Sequence, residues 1–242
     1  MPKGLHWLPV VLITTSAAHG EIVTLDSIAH GTLYETAGSQ TANGLGQHLF
    51  AGNNGQDLSR RGLIRFDLAS LGPNVLIESV VLRLHVSQAN AAASEVSLHR
   101  MLAPWGVGTT DAGGGEGGGG AATPGSATWT HAFFDDVPWD TPGGDFDLAN
   151  LASTTVGGVD WYEWSGSGLV GHLQGVVDGT TTDHGWLLRG DESMASTAKR
   201  FDSMFADPAF HPELVVTYSV VPAPGVVALF GVAGIGGRRR RH

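Results

Sequence analysis

The chain has 242 residues, 42% of them hydrophobic and 15% charged, with 36 glycines and no cysteine. That length suits one large domain or two small ones, and the lack of cysteine excludes a disulfide framework, a zinc ribbon, an iron–sulfur site and thiol chemistry. Sparse charge with abundant glycine predicts many tight turns rather than long helices.

The first twenty residues read as a secretory signal. Lys3 precedes an apolar run through Val10, Val11, Leu12 and Ile13, and small residues Ser16, Ala17 and Ala18 follow. A positive start, a short apolar stretch and a small-residue exit are the three parts of such a signal, and the run is too short to span a bilayer. Cleavage fits after Ala18 or after Gly20. Residues 21–219 then form the body, and residues 220–242 a separate tail.

Both Lys3 and the four arginines at 238–241 lie outside the body. It keeps eight basic residues, Arg60, Arg61, Arg65, Arg83, Arg100, Arg189, Lys199 and Arg200, against all 23 acids, a net charge of −15. Such a surface repels nucleic acid and anionic polymers and favours cations such as calcium.

Alternating apolar residues predict half-buried strands. Ile64, Phe66 and Leu68 share one face while Arg65 and Asp67 share the other. Val80, Leu82, Leu84 and Val86 alternate with Val81, Arg83 and His85, and Val96 and Leu98 with Ser97 and His99. Short runs around Trp186–Leu188 and Leu214–Tyr218 complete the set, with turn-rich stretches such as Gly52–Gly55 and Leu71–Asn74 between strands. The expected fold is all-β, an antiparallel β-sandwich or jelly roll.

Between the strands, residues 109–125 carry a glycine-rich run with Glu116 inside it, expected as a long surface loop. No Lys-Ser/Thr follows it, so it is not a phosphate-binding loop of that type. Asp135, Asp136, Asp140, Asp145 and Asp147 cluster in a Pro/Gly-rich stretch, an oxygen-rich candidate for structural calcium; Asp191 and Glu192 form a smaller one. No other cofactor is indicated. Trp161-Tyr162-Glu163-Trp164, if extended, sets Trp161 and Glu163 on one face and Tyr162 and Trp164 on the other. Exposed indoles stack on sugar rings while carboxylates accept hydroxyl protons, so Trp161 and Glu163 are candidate ligand residues, joined by Trp129 and Trp139 from the long loops. The competing assignment for the tryptophans is core closure. One short helix is predicted from Leu169, Val170, Leu173, Val176 and Val177, capped by Ser165 or Ser167 and ended by Asp178-Gly179.

Catalytic signatures are missing. The eight body histidines form no HExxH or other close ligand pair, Gly166-Ser167-Gly168 lacks the spacing of a nucleophile elbow, and the acids are too many for any pair to stand out as a glycosidase couple.

The tail runs from Pro222-Ala223-Pro224 through an apolar segment, 226–237, to Arg238, Arg239, Arg240 and Arg241. An apolar stretch stopped by arginines holds the positive cluster on the cytoplasmic side. This end resembles the bacterial PEP-CTERM sorting signal, with Ala223 where the motif has glutamate. The resemblance implies a transient stay of the tail in the inner membrane and processing by an exosortase-like enzyme.

The body in turn resembles a DNRLRE-type domain. The resemblance rests on Arg60–Leu68, Ile77–Leu84, Val96–Arg100, Ala127–Trp129, the helix, Asp183–Trp186, Lys199–Ser203 and Pro212–Tyr218, in that order. It implies a β-sandwich of exported bacterial proteins, found beside carbohydrate-active modules, some relatives being alginate-binding carbohydrate modules. The expectation is therefore an exported, cell-surface or matrix protein, non-catalytic, binding polysaccharide or building envelope structure. The rival expectation is a polysaccharide lyase or glycoside hydrolase on a jelly roll.

Overall fold

The computed structural model describes residues 20–38, 40–89 and 92–221. Residues 1–19 of the expected signal, 1–20, and the expected sorting residues Pro222, Pro224 and Arg238–Arg241 lie outside the described residues. Among those described, no helix is long and apolar enough to cross a membrane.

The body is mostly β. Its strands are β1 (Glu21–Tyr34), β2 (Thr41–Ala42), β3 (His48–Asn53), β4 (Ser59–Phe66), β5 (Val75–Ala89), β6 (Ser94–Met101), β7 (Gly120–Ala121), β8 (His131–Phe133), β9 (Val137–Pro138), β10 (Phe146–Val156), β11 (Asp160–Ser165), β12 (Trp186–Arg189), β13 (Lys199–Asp202) and β14 (Glu213–Val220). Among the described residues there is one α-helix, α1, which spans Ser167–Val177. The strand order β1-β14-β5-β13-β3-β4 closes on itself because β4 also pairs with β1. Strands β12, β6 and β10 continue outward from β4, and β11 pairs with the other edge of β5. Every pairing is antiparallel.

Strand β1 achieves the closure. Residues Glu21–Asp26 pair with β14, the register breaks between Ser27 and Ala29, and Ala29–Tyr34 pair with β4. A bulge of this kind bends a strand and lets it pass from one partner to another.

The alternation predicted from sequence holds in β4, β5, β6, β12 and β14. Ile64, Phe66, Leu82, Leu84, Val86, Leu98, Trp186, Leu188, Leu214 and Val216 all enter one core cluster. Leu68 joins that cluster from a short 3-10 turn, Leu68–Leu71, because β4 ends at Phe66. The helix lies where expected and buries Leu169, His172 and Leu173. Neither Ser165 nor Ser167 caps it: Gly166 is the N-cap residue, with no side-chain bond, and its carbonyl accepts from the Val170 N–H.

A second cluster lies on the other side of β4 and β12. Leu63 and Leu187 point into it with Leu33 and Met101, covered by Trp105, Ala127, Ala132 and Trp139. The cover is irregular chain pressed close to itself: a Cβ on Gly106 would sit 1.8 Å from the Gly125 carbonyl oxygen.

Two histidines in this framework carry a pH dependence. Burial pushes His30 down to about 4, although its Nε2 donates to the Gly46 carbonyl at 3.0 Å. Burial, with a contribution from Arg100, pushes His172 down to about 4, and its Nε2 has no partner among the described residues. Unfolded, both take up a proton near 6.5, so the unfolded chain binds more protons between that pH and about 4. Stability is therefore expected to be full above the upper value and to fall as pH drops to the lower one. The loss is on the order of 2–3 kcal/mol per histidine. Urea unfolding from neutral pH down to about pH 4 checks this, with His172→Gln expected to remove its share of the slope.

Candidate functional site

The Trp161–Trp164 stretch is extended, as β11, and alternates as predicted. Trp164 is fully buried and its Nε1 donates to the Val96 carbonyl at 2.7 Å. Trp161 is half-buried and Glu163 exposed. Antiparallel pairing with β5 sets Trp161 opposite His85 and Glu163 opposite Arg83, while β14 sets Glu213 opposite Arg83 on the other side.

These residues form a mixed aromatic and ionic face. The Arg83 guanidinium lies 5.0 Å from the Trp161 ring centroid, donates from Nε to Glu163 at 3.2 Å, and pairs through Nη1 with Glu213. The His85 ring lies 5.5 Å from Trp161 and stacks on Phe210, centroids 4.1 Å apart with 19° between planes. Phe210 is 36% exposed. Behind them, the buried Asp202 takes His85 Nδ1 at 2.6 Å. His48 then stands between two carboxylates, with Nε2 3.4 Å from Asp202 and Nδ1 3.3 Å from Glu116. Sequence reading missed His85, Phe210 and Arg83 as members of this face. The signal was present in the outward positions of β5, but their partner Phe210 comes from a connection far along the chain.

The other two predicted ligand tryptophans are elsewhere. Trp139 is buried in the second cluster and donates Nε1 to the Thr128 carbonyl at 2.8 Å, so it serves core closure and not a surface platform. Trp129 packs on the same cluster, with the Arg61 guanidinium 4.8 Å from its ring. Among the described residues neither makes a ring contact or hydrogen bond with Trp161, Arg83, His85 or Phe210.

Nor do the five aspartates converge. Asp145 accepts from the N–H groups of Asp140 and Thr141, at 3.0 and 2.9 Å, and so folds its own loop. Asp147 bonds Arg100 at 3.1 Å and the Ala149 N–H. Asp135, with φ 67°, and Asp136 lie in the turn between β8 and β9. Among the described residues no group of three or more such side chains is arranged to hold a metal ion. Of the smaller pair, Glu192 grips Arg61 through both oxygens, at 2.7 and 2.9 Å, and also takes Arg189. Asp191 bonds Ser193 in its own turn.

The glycine-rich run is an anchored wall rather than a free surface loop. Glu116, φ 62° and only 7% exposed, turns its carboxylate inward, where it accepts from Asn43 Nδ2 and from the N–H groups of Gln47 and His48 at 2.8–3.1 Å. Its carbonyl takes the Tyr34 hydroxyl, and Gly117 takes Arg60 Nε. A Cβ on Gly119 would meet the Tyr34 ring at 2.9 Å, which is why this length of chain can lie so close. Between the wall and the strands lies a cavity of about 620 Å³, bordered by Phe50, Arg60, Gln88 and Arg200.

No protein-family model and no curated protein matches the chain.

Burial pushes the Glu116 carboxyl up, but the hydrogen bonds from His48, Asn43 and Gln47 outweigh it and hold the group below its ordinary value of 4.5. The stability it supplies is thus full above that value and lost as pH falls through the lower, folded one. Glu116→Gln is expected to cost about 2–3 kcal/mol, since an amide turns N–H groups toward donors already facing it. Hydrogen exchange should speed up across 110–121 and at Gln47 and His48. Unchanged exchange there counts against the anchoring role.

Proposed function

We propose that this is an exported, non-catalytic cell-surface protein whose β-sandwich body, of DNRLRE type, binds a glycan across the Trp161 face. The two-sheet reading is supported by the bulge in β1, which divides its partners into β14 on one side and β4 on the other. It is supported too by a core drawn from β5, β13 and β14 facing β4, β6 and β12. The export reading is supported by the first twenty residues and by the PEP-CTERM-like tail, which an exosortase-like enzyme would process.

One observation carries the binding reading: a half-exposed indole bordered by the Phe210 and His85 rings, an arginine and two glutamates. Flat apolar faces flanked by fixed donors and acceptors suit a pyranose ring, whose axial hydrogens stack while its hydroxyls bond. One arginine, Arg83, against two glutamates, Glu163 and Glu213, leaves the face slightly negative, which favours a neutral hexose polymer over an anionic one.

Trp161→Ala should weaken polysaccharide binding by about tenfold or more while leaving the unfolding midpoint nearly unchanged, since stacking on one aromatic ring is worth roughly 1–3 kcal/mol. Titration of immobilised polysaccharides, with tryptophan fluorescence as a second readout, tests it. Absence of binding to every polysaccharide, with no fluorescence change, overturns it. Intact-mass measurement on protein from its native cell fraction tests export, with the mature chain expected to begin at His19 or at Glu21.

A lyase reading has one observation in its favour. The buried Asp202 fixes His85 through Nδ1, the relation of an orienting carboxylate to a general base. Release of unsaturated oligosaccharide, abolished in His85→Ala, would establish it.

A further inference from the structure

We infer that the cavity under the glycine-rich wall is a binding site for a tetrahedral oxyanion, a phosphate or sulfate ester carried on a hydroxylated molecule. This inference does not depend on glycan binding at the Trp161 face.

It begins with where the body's few cations go. Arg61, Arg83, Arg100 and Arg189 are each ion-paired to a carboxylate. Arg60, Arg65 and Arg200 have no ion pair among the described residues, and two of these three, Arg60 and Arg200, border the same cavity. In a body of net charge −15, two such arginines at one cavity are a local reversal of sign. The one carboxylate bordering the cavity, Glu116, is already engaged by three N–H donors and stands beside His48.

The donors are held in place before any ligand arrives. Arg60 uses Nε on the Gly117 carbonyl and Nη1 on the carbonyls of Glu35, Leu58 and Ser59, which leaves Nη2 without a hydrogen bond among the described residues. Its guanidinium rests 5.1 Å from the Tyr34 ring centroid. Burial lowers its proton affinity below the ordinary arginine value, against smaller opposing contributions from Tyr34 and Glu35. Arg200 bonds Ser87 through Nε at 3.1 Å, and both of its Nη groups are free of hydrogen bonds among the described residues. Cross-strand pairing sets Arg200 between Gln88 of β5 and Phe50 of β3, so amide, guanidinium and ring stand in one row.

The wall borders the cavity on another side. Gly115, Gly117 and Gly118 border the cavity, and their N–H groups make no hydrogen bond among the described residues. Unpaired backbone N–H groups beside turns of positive φ, here Gly114, Glu116 and Gly119, are the makings of an anion-binding concavity. A planar carboxylate is satisfied by one bidentate arginine. Donors from β4, from β13 and from the wall suit an oxyanion whose oxygens point in three directions. Asn54, Gln88 and Ser196 at the margin offer partners for hydroxyls. The volume, about 620 Å³, admits more than a bare ion. Long-range repulsion from the acidic body is screened within about 8 Å at physiological ionic strength, so the local pair of arginines governs a small ligand.

The test is a titration of the full chain with inorganic phosphate and with sulfate, followed by calorimetry and by backbone amide shifts. Saturable binding is expected, with shifts at Gly115, Gly117 and Gly118. Arg200→Gln should lower affinity by about tenfold or more and Arg200→Lys by less, since the lysine keeps the charge and loses the fork. A hexose phosphate and a sulfated hexose then distinguish the two sources, the true one binding more tightly than its inorganic ion. Trp161→Ala should leave all of this unchanged. The inference is overturned if neither ion binds, if a hexuronate binds as tightly as both esters, or if the wild-type glycine amides do not shift on titration.

Discussion

Strands β4 and β12 are buried on both faces, and much of the molecule follows from that constraint. Ile64, Phe66, Trp186 and Leu188 fill the main core, while Leu63 and Leu187 on the opposite faces are equally inaccessible. A sheet with apolar residues on its outer side needs a cover. Here the cover comes from the chain between β6 and β10, which has only the short strands β7, β8 and β9 and contributes Trp105, Ala127, Ala132 and Trp139. Irregular chain over an apolar surface brings polar backbone with it, and each buried carbonyl or N–H needs a partner. Trp105 and Trp139 answer part of that need by donating Nε1 to the carbonyls of His184 and Thr128. Arginines from β4 answer another part, Arg60 holding Gly117 and Arg61 holding Gly143. Glu116 works in the opposite sense, carrying an acceptor inward to unpaired N–H groups. Adjacent residues of one strand thus fasten two separate parts of the cover.

That arrangement explains what could be read from the chain and what could not. Strands with one buried face announce themselves by alternation, and the Val80–Val86 and Leu214–Tyr218 runs were legible for that reason. So was the helix, since Leu169 and Leu173 repeat at helical spacing and both are buried. Its cap was not, because Gly166 makes the turn with backbone alone. Strand β1 is hard to see in the sequence although it is 14 residues long. Its bulge resets the alternation at Ser27, and Ile22 and Ile28 face solvent. Strand β10 hides similarly, with two register shifts and an 80% exposed Leu148. The glycine-rich stretch reads as surface chain because composition says nothing about anchoring. Yet Glu116 is the one side chain longer than hydrogen within Gly113–Gly120, and that isolation was the available signal.

Of the candidate site, the sequence offered the Trp161/Glu163 face but not its depth. Which of the two faces of β11 is outward follows from Trp164, whose indole reaches the Val96 carbonyl across the core. The tryptophans in the cover could not be separated from ligand residues by type, since burial is decided by the apolar outer side of β4 and β12. The acidic stretch failed to form a metal-binding group for a related reason. Asp145 and Asp147 lie in short, tightly turned chain, where nearby N–H groups and Arg100 occupy their oxygens.

The aromatic face and the glycine-rich wall are joined physically. Asp202 takes an imidazole on each side, His85 toward Phe210 and Trp161, and His48 toward Glu116. Four titratable side chains from β3, β5, β13 and the wall therefore stand in one row beneath two solvent-facing features. Orientation of the His85 ring, and with it the stack on Phe210, is set by a carboxylate whose other oxygen lies 3.4 Å from His48 Nε2. His48 in turn faces the carboxylate that pins the wall. Groups sharing partners in this way do not respond independently, so substitutions at Glu116 and at His85 should couple where those at distant sites add. Two imidazoles alternate with two carboxylates along the row, from His85 through Asp202 and His48 to Glu116.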